Sequence, residues 1–193
     1  GGEADRPRPK SRMESDRFID RVVDGEPVSY MLGNVFIDRD SLTARCDTAH
    51  YYRGREYYEF MGNVVVTRDS TVLECRYGNY DRLAGAGNFF RDVRLTDGEM
   101  IGTGLRGESR LDGRQVRLIG EALLVTPDYS VRADTIFKDR LTGQGEALGH
   151  VRIMEPEAKN LVTGDHAIET DLGTAGEPAE LYLDGVPVCS LKG

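Results

Sequence analysis

From Val28 onward the chain alternates short apolar runs with Gly, Asp and Asn. No stretch holds a helical period over three turns, whereas β-branched and aromatic residues recur at period two, which predicts strands throughout. The same pattern returns every 29 residues, as in MLGNVFIDRDSLTARC at 31–46 and FMGNVVVTRDSTVLEC at 60–75. Stepping by that period gives a column Met31, Phe60, Phe89, Leu118, Ala147 and a column Gly33, Gly62, Arg91, Gly120, Gly149. Two more read Val35, Val64, Val93, Ala122, Val151 and Ile37, Val66, Leu95, Leu124, Ile153. Two further columns read Cys46, Cys75, Gly104, Ala133, all small, and Ala49, Gly78, Gly107, Ile136, small in its first three members. Five copies hold one register to about residue 153; Thr163-Gly164-Asp165 then repeats Arg132-Ala133-Asp134 at 31 residues, and Asp184–Val188 reads as an altered sixth copy.

Residues two apart share a strand face, so stacked copies line these side chains into apolar ladders. One copy cannot bury its face alone, and neighbours must stack. Twenty-nine residues have room for roughly four short strands. The product is an elongated, all-β structure with a continuous apolar interior. A parallel β-helix and an antiparallel jelly-roll both satisfy the columns, and so do a packed core and a groove for apolar chains. On the outer face, Phe36, Val65 and Leu123 interrupt a mostly polar pattern. Residues 1–16 are charged, carry two Pro and few apolar side chains, and read as a flexible lead-in before a single domain over 17–193. Asp24-Gly25-Glu26-Pro27 is a turn signal.

Charge narrows the function classes. The chain of 193 residues has a formal net charge of −8, which disfavours nucleic acid as a partner. Residues 39–117 carry thirteen basic against twelve acidic side chains, and all thirteen are Arg, the better fork for phosphate or carboxylate. No apolar run approaches the length of a membrane span. A signal or anchor is expected upstream of Gly1.

Candidate chemistry is sparse. GTGLRG at 102–107 matches a dinucleotide-binding glycine pattern, but no helical period follows it, and Gly104 and Gly107 fall in the small-residue columns. Packing explains them, and no cofactor is expected. Cys46 and Cys75 occupy equivalent positions; they read as small buried side chains, with a disulfide geometrically conceivable. His50, His150 and His166 lie in different phases without metal-ligand spacing, so no metal is expected. Asp47, Asp134 and Asp165 recur at one phase and read as turn formers at strand ends. No pair of acids stands out, so no catalytic residue is assigned and the chain reads as a non-enzyme.

Gly33-Asn34-Val35, then Leu42–Ala49 with Tyr51, then the second Gly-Asn-Val at 62–64, resemble the OstA-like family, the LptA-type periplasmic β-domains of lipopolysaccharide transport. Val131–Asp134 and Thr163–Asp165 repeat part of the pattern, and the resemblance covers roughly 28–170. It implies a twisted β-jelly-roll, open at its ends and along one side. It further implies a periplasmic, non-enzymatic protein that passes the acyl chains of lipopolysaccharide, or a similar lipid, along an apolar groove. Such domains join other OstA-like domains by edge-strand pairing, here including a possible homo-oligomer. The strict 29-residue period and Arg91 in the glycine column have no counterpart in that family pattern.

On this reading the groove is lined by Met31, Phe60, Phe89 and Leu118, by Val35, Val64 and Val93, and by Ile37, Val66, Leu95 and Leu124. Arg side chains at its mouth would pair with lipid phosphates. Two rivals remain: a scaffold β-domain of a larger outer-membrane assembly protein with a filled core, and a carbohydrate-active parallel β-helix.

Overall fold

The computed structural model describes residues 11–155, 160–169 and 180–190. Their regular structure is fourteen strands and one short 3-10 turn at Leu111–Gly113. The strands are β1 (Arg12–Glu14), β2 (Arg17–Val23), β3 (Glu26–Arg39), β4 (Leu42–Tyr52), β5 (Tyr57–Arg68), β6 (Thr71–Asp81) and β7 (Ala86–Asp97). They continue as β8 (Met100–Arg110), β9 (Gln115–Val125), β10 (Ser130–Asp139), β11 (Gly145–Glu155), β12 (Asn160–Glu169), β13 (Glu180–Leu183) and β14 (Val186–Ser190). From β3 to β14 each strand pairs with the next, and β1 and β2 both lie along β3. The lead-in expected over 1–16 thus contains a strand at Arg12–Glu14; its residues 1–10 lie outside the described residues.

Every pairing is antiparallel. This overturns the parallel β-helix and, with it, the carbohydrate-active β-helix. The physical reason is the brevity of the links: Asp69-Ser70 joins β5 to β6, whereas a parallel neighbour needs a crossover of a dozen residues or more. The 29-residue unit is likewise two long strands, not four short ones. The Gly-Asn pairs lie inside strands. The true turns are elsewhere, including Asp24-Gly25 and Asp184-Gly185, whose φ values of 50° and 82°, and 48° and 80°, suit two-residue hairpins. The slip to 31 residues falls between β11 and β12.

Each long odd-numbered strand bends at its middle. Gly33-Asn34, Gly62-Asn63, Arg91-Asp92, Gly120-Glu121 and Gly149-His150 all have positive φ, between 47° and 77°. At each, two residues oppose one on the neighbour: Leu32 pairs with Thr48 and Val35 with Cys46, leaving Gly33-Asn34 against Asp47. These are β-bulges, which bend a strand and raise its twist. The repeated Asp serves this corner rather than a strand end. Asn34 Nδ2 donates to Asp16 Oδ2 at 2.8 Å, Asn63 Nδ2 to Asp47 Oδ2 at 2.9 Å, and His150 Nδ1 lies 2.8 Å from Asp134 Oδ2. The same carboxylates sit where a Cβ on Gly33, Gly62 or Gly149 would be.

Arg91 departs from the column in a compensated way. Its neighbour strand carries Arg76 where the Gly33, Gly62 and Gly149 corners have Asp and the Gly120 corner has Leu105, and Arg76 Nε donates to Asp92 at 2.6 Å. The acid and its partner have exchanged strands, and no carboxylate occupies the Cβ position. Arg91 still holds φ 64°. Arg91→Gly is therefore expected to raise the unfolding free energy by about 0.5–1 kcal/mol, net of the entropy glycine returns to the unfolded chain. Equilibrium urea unfolding checks this.

The bulges fold the sheet over. An eleven-residue strand such as β4 spans about 36 Å when extended. Yet Arg39, before β4, pairs with Glu56, after it, at 3.3 Å. The two rows of turns are thus brought together, and the apolar faces of β3 to β12 turn inward to form a jelly-roll core. Large side chains meet small ones inside it: a Cβ on Gly78 would lie 2.8 Å from Phe89 Cδ1, and one on Gly102 would lie 2.7 Å from Leu118 Cδ1. GTGLRG is accordingly part of β8, a packing stretch followed by the short 3-10 turn and β9 rather than by an α-helix.

Candidate functional site

The predicted ladders form the interior. Met31, Val35, Ile37, Phe60, Val64, Phe89, Val93, Leu95, Leu118 and Leu124 are all buried, and half-buried Val66 packs against them. They divide by place. Phe60, Val66, Phe89 and Leu95 line a cleft of about 590 Å³, part of it open to solvent. Ile37 and Phe60 line an adjoining, wider cleft of about 1180 Å³, and Leu124 a smaller one of about 290 Å³. Met31, Val35, Val64, Val93 and Leu118 are packed away from these three clefts.

The first two clefts meet at Leu42, Phe60, Arg68, Tyr80, Asp112 and Arg140, where the two rows of turns face each other. This seam is tied by ions. Arg82 Nη1 lies 3.2 Å from Asp40 Oδ2, Arg68 Nη1 3.2 Å from Asp112 Oδ1, and Arg140 Nη2 2.8 Å from Asp97 Oδ2. The three ties span 42, 44 and 43 residues, about one and a half repeats. Each joins a turn of one row to the turn of the other row three strands further on, so the seam has a constant stagger. Glu56 also receives Arg82. Arg39 Nη1 donates to Tyr51 Oη at 3.1 Å and Tyr58 Oη at 3.0 Å. Those rings stack at 4.4 Å, and Tyr58 stacks on Phe60 at 5.9 Å, so an aromatic column runs from the seam to the cleft floor.

The seam also explains the middle segment's Arg excess, together with stacking on the outer face. Arg45 sits 4.7 Å above Phe36, Arg106 5.4 Å above Phe90, and Arg117 5.9 Å above Phe137. At the mouth, Arg39, Arg68, Arg82 and Arg140 each have a carboxylate of the chain itself. Sequence reading missed these ties because their partners lie on turns three strands apart. The available signal was the recurrence of Arg-Asp-Ser at 39–41 and 68–70.

Two seam carboxyls titrate low. The hydrogen bond from Arg82 holds Glu56 below the usual range against its partial burial, and that from Tyr80, with Arg68 beside it, does the same for Asp112. A depressed folded-state pKa contributes stability that is complete above the unfolded value, about 4 for carboxyls, and is lost as pH falls through the folded value. The urea midpoint is therefore expected to hold down to about pH 4 and then to drop. A Glu56→Gln, Asp112→Asn double variant should start lower and show a shallower acid limb. His150 runs the other way. Its hydrogen bond to the Asp134 carboxylate raises its pKa, so that corner tie is complete below about pH 6.5 and fades above it.

Cys46 and Cys75 are free and buried, and burial pushes both thiols up to about 11. They lie on β4 and β6 with β5 between them, about 9.5 Å apart across two strand spacings, too far for a disulfide. They are small core side chains, as is Ala133 in their column, while Gly104 there is half-buried. The side chain of Cys189 lies outside the described residues. Among the described residues no cluster of His, Cys, Asp and Glu could hold a metal ion, and no helix is long and apolar enough to cross a membrane.

No curated relative matches the chain. Among solved structures it is similar to LptH from Pseudomonas aeruginosa, described as the LptA homologous periplasmic component of the conserved lipopolysaccharide transport device. That likeness is at 14% identity with a TM-score of 0.48, and it covers 74% of this chain and 94% of LptH. The sequence profile described as LptA/(LptD N-terminal domain) LPS transport protein matches residues 29–144, which span β3 to β10 and the whole seam. With more than half of its length so matched, the chain belongs to the family of LptA and LptD N-terminal domain proteins of lipopolysaccharide transport.

Proposed function

We propose that this protein is a non-enzymatic periplasmic carrier that holds the acyl chains of lipopolysaccharide, or a similar lipid, in the folded sheet, with sugars and phosphates outside. The observation that carries the reading is the cleft over Phe60 and Phe89: an apolar floor continuous with the core, opening at a seam closed by side-chain ties rather than by backbone pairing. The Arg82–Asp40 tie is about a third exposed, and exposed pairs contribute about 0–1 kcal/mol each, weak enough to part. The eleven ladder residues supply apolar contact at about 25 cal/mol per Å². The terminal edges supply association. β2 ends the sheet with exposed Phe18, Val22 and Val23, and an edge strand is a template for a strand of another OstA-like domain or of a second copy.

A filled-core scaffold is the second reading, and one observation favours it: Met31, Phe60 and Phe89 are only 0–4% exposed. A photoreactive side chain placed at Phe60 or Phe89, and at outward-facing Glu74 as control, separates the two. Crosslinks to lipopolysaccharide from the interior sites above the control are expected. Labelling at Glu74 alone would leave only the scaffold reading.

A further inference from the structure

We infer that Arg68 Nε and Thr71 Oγ form a subsite for the carbonyl oxygen of an acyl chain, at the point where the chain leaves the cleft. The inference rests on the groove reading and deepens it. Both atoms are buried, and neither has a hydrogen-bond partner among the described residues. Both residues line the same cleft, where apolar Phe60, Leu73, Phe89, Leu95 and Val116 stand beside the polar Tyr80, Ser109, Asp112 and Arg140. They flank the β5–β6 turn and pair with each other across it, so the two groups come from opposite sides of one hairpin end.

A buried polar group without a partner costs about 1–3 kcal/mol, so two together in an apolar wall call for an acceptor. Arg68 Nε–H is a donor only, and a hydroxyl can donate, so one carbonyl oxygen with two lone pairs serves both. The rest of Arg68 is engaged: Nη1 donates to the Asp112 carbonyl oxygen at 2.7 Å and Nη2 to Tyr80 Oη at 3.4 Å. Its charge is answered by Asp112 at 3.2 Å. A phosphate would have to displace that carboxylate, whereas a neutral ester or amide carbonyl would not. The subsite therefore selects acyl chains by their carbonyl and leaves headgroup charge outside the seam.

The test is displacement of a solvatochromic naphthylamine dye from the purified protein by methyl decanoate, by dodecane of matched length, and by dodecyl phosphate. Thr71→Val keeps the β-branched shape and removes only the hydroxyl. The variant is expected to melt no lower than the parent, to bind methyl decanoate about three- to tenfold more weakly, and to bind dodecane unchanged. An unchanged ester-to-alkane ratio would overturn the subsite while leaving the groove intact, because solvent would then serve both groups. Tighter binding of dodecyl phosphate, indifferent to Thr71→Val, would overturn a neutral head. Failure of all three to displace the dye would sink the groove reading itself.

Discussion

Gly62→Ala is expected to cost about 2–3 kcal/mol of unfolding free energy. The backbone there holds φ +75°, where a side chain other than glycine costs about 1–2 kcal/mol. The new methyl would overlap the Asp47 carboxylate, which must leave its bond to Asn63 at 2.9 Å, a further loss of about 0.5–1.5 kcal/mol. Gly98→Ala is the control. It also has a positive φ, 58°, but open space around it, so only the backbone cost of about 1 kcal/mol applies. Urea unfolding of the two variants measures the difference. Equal losses would mean that the carboxylate moves aside freely and that the corner is set by backbone alone.

Phe89→Ala should destabilise the fold by about 3–5 kcal/mol, as for other buried aromatics. Phe89 is 4% exposed, and its ring fills the space left by Gly78, its partner on β6, and by Gly87, two residues before it on β7. Gly78→Ala alone overpacks the same place, with its Cβ 2.8 Å from the ring, at a cost of about 1–3 kcal/mol. The double variant should cost less than the two losses together, by about 0.5–3 kcal/mol, because the alanine methyl enters room the ring has left. Additive losses would deny that the large and small columns of the repeat are matched to each other.

The two experiments probe different sources of the fold. The bulge corners decide where the sheet bends, and the large–small columns decide how closely its halves approach. Both recur every 29 residues, so each copy reinforces the next, as in other repeat proteins. The seam follows another interval, about one and a half repeats, since it joins turns at opposite ends of the bent strands.

The all-β class, the repeat length, the inward columns and the small-residue role of Cys46 and Cys75 were legible in the chain, because period-two alternation and a constant step need only local order. The family was legible too, from Gly-Asn-Val and the small-x-Asp pattern in phase. What those residues do was not. Gly33-Asn34 is only a recurring motif until a partner strand shows two residues opposite one, and Asp47 reads as a turn former until its acceptor role at the corner is seen. Strand direction likewise escaped the columns, which are the same for parallel and antiparallel stacking; the short turns settle it. Arg68 and Asp112, 44 residues apart, become a tie only once the sheet folds over, as does the meeting of Arg68 Nε and Thr71 Oγ with an apolar wall. Local periodicity thus determined which residues face inward, and tertiary structure alone decided where the edges of the sheet meet, because that depends on bend, twist and stagger accumulated over many strands.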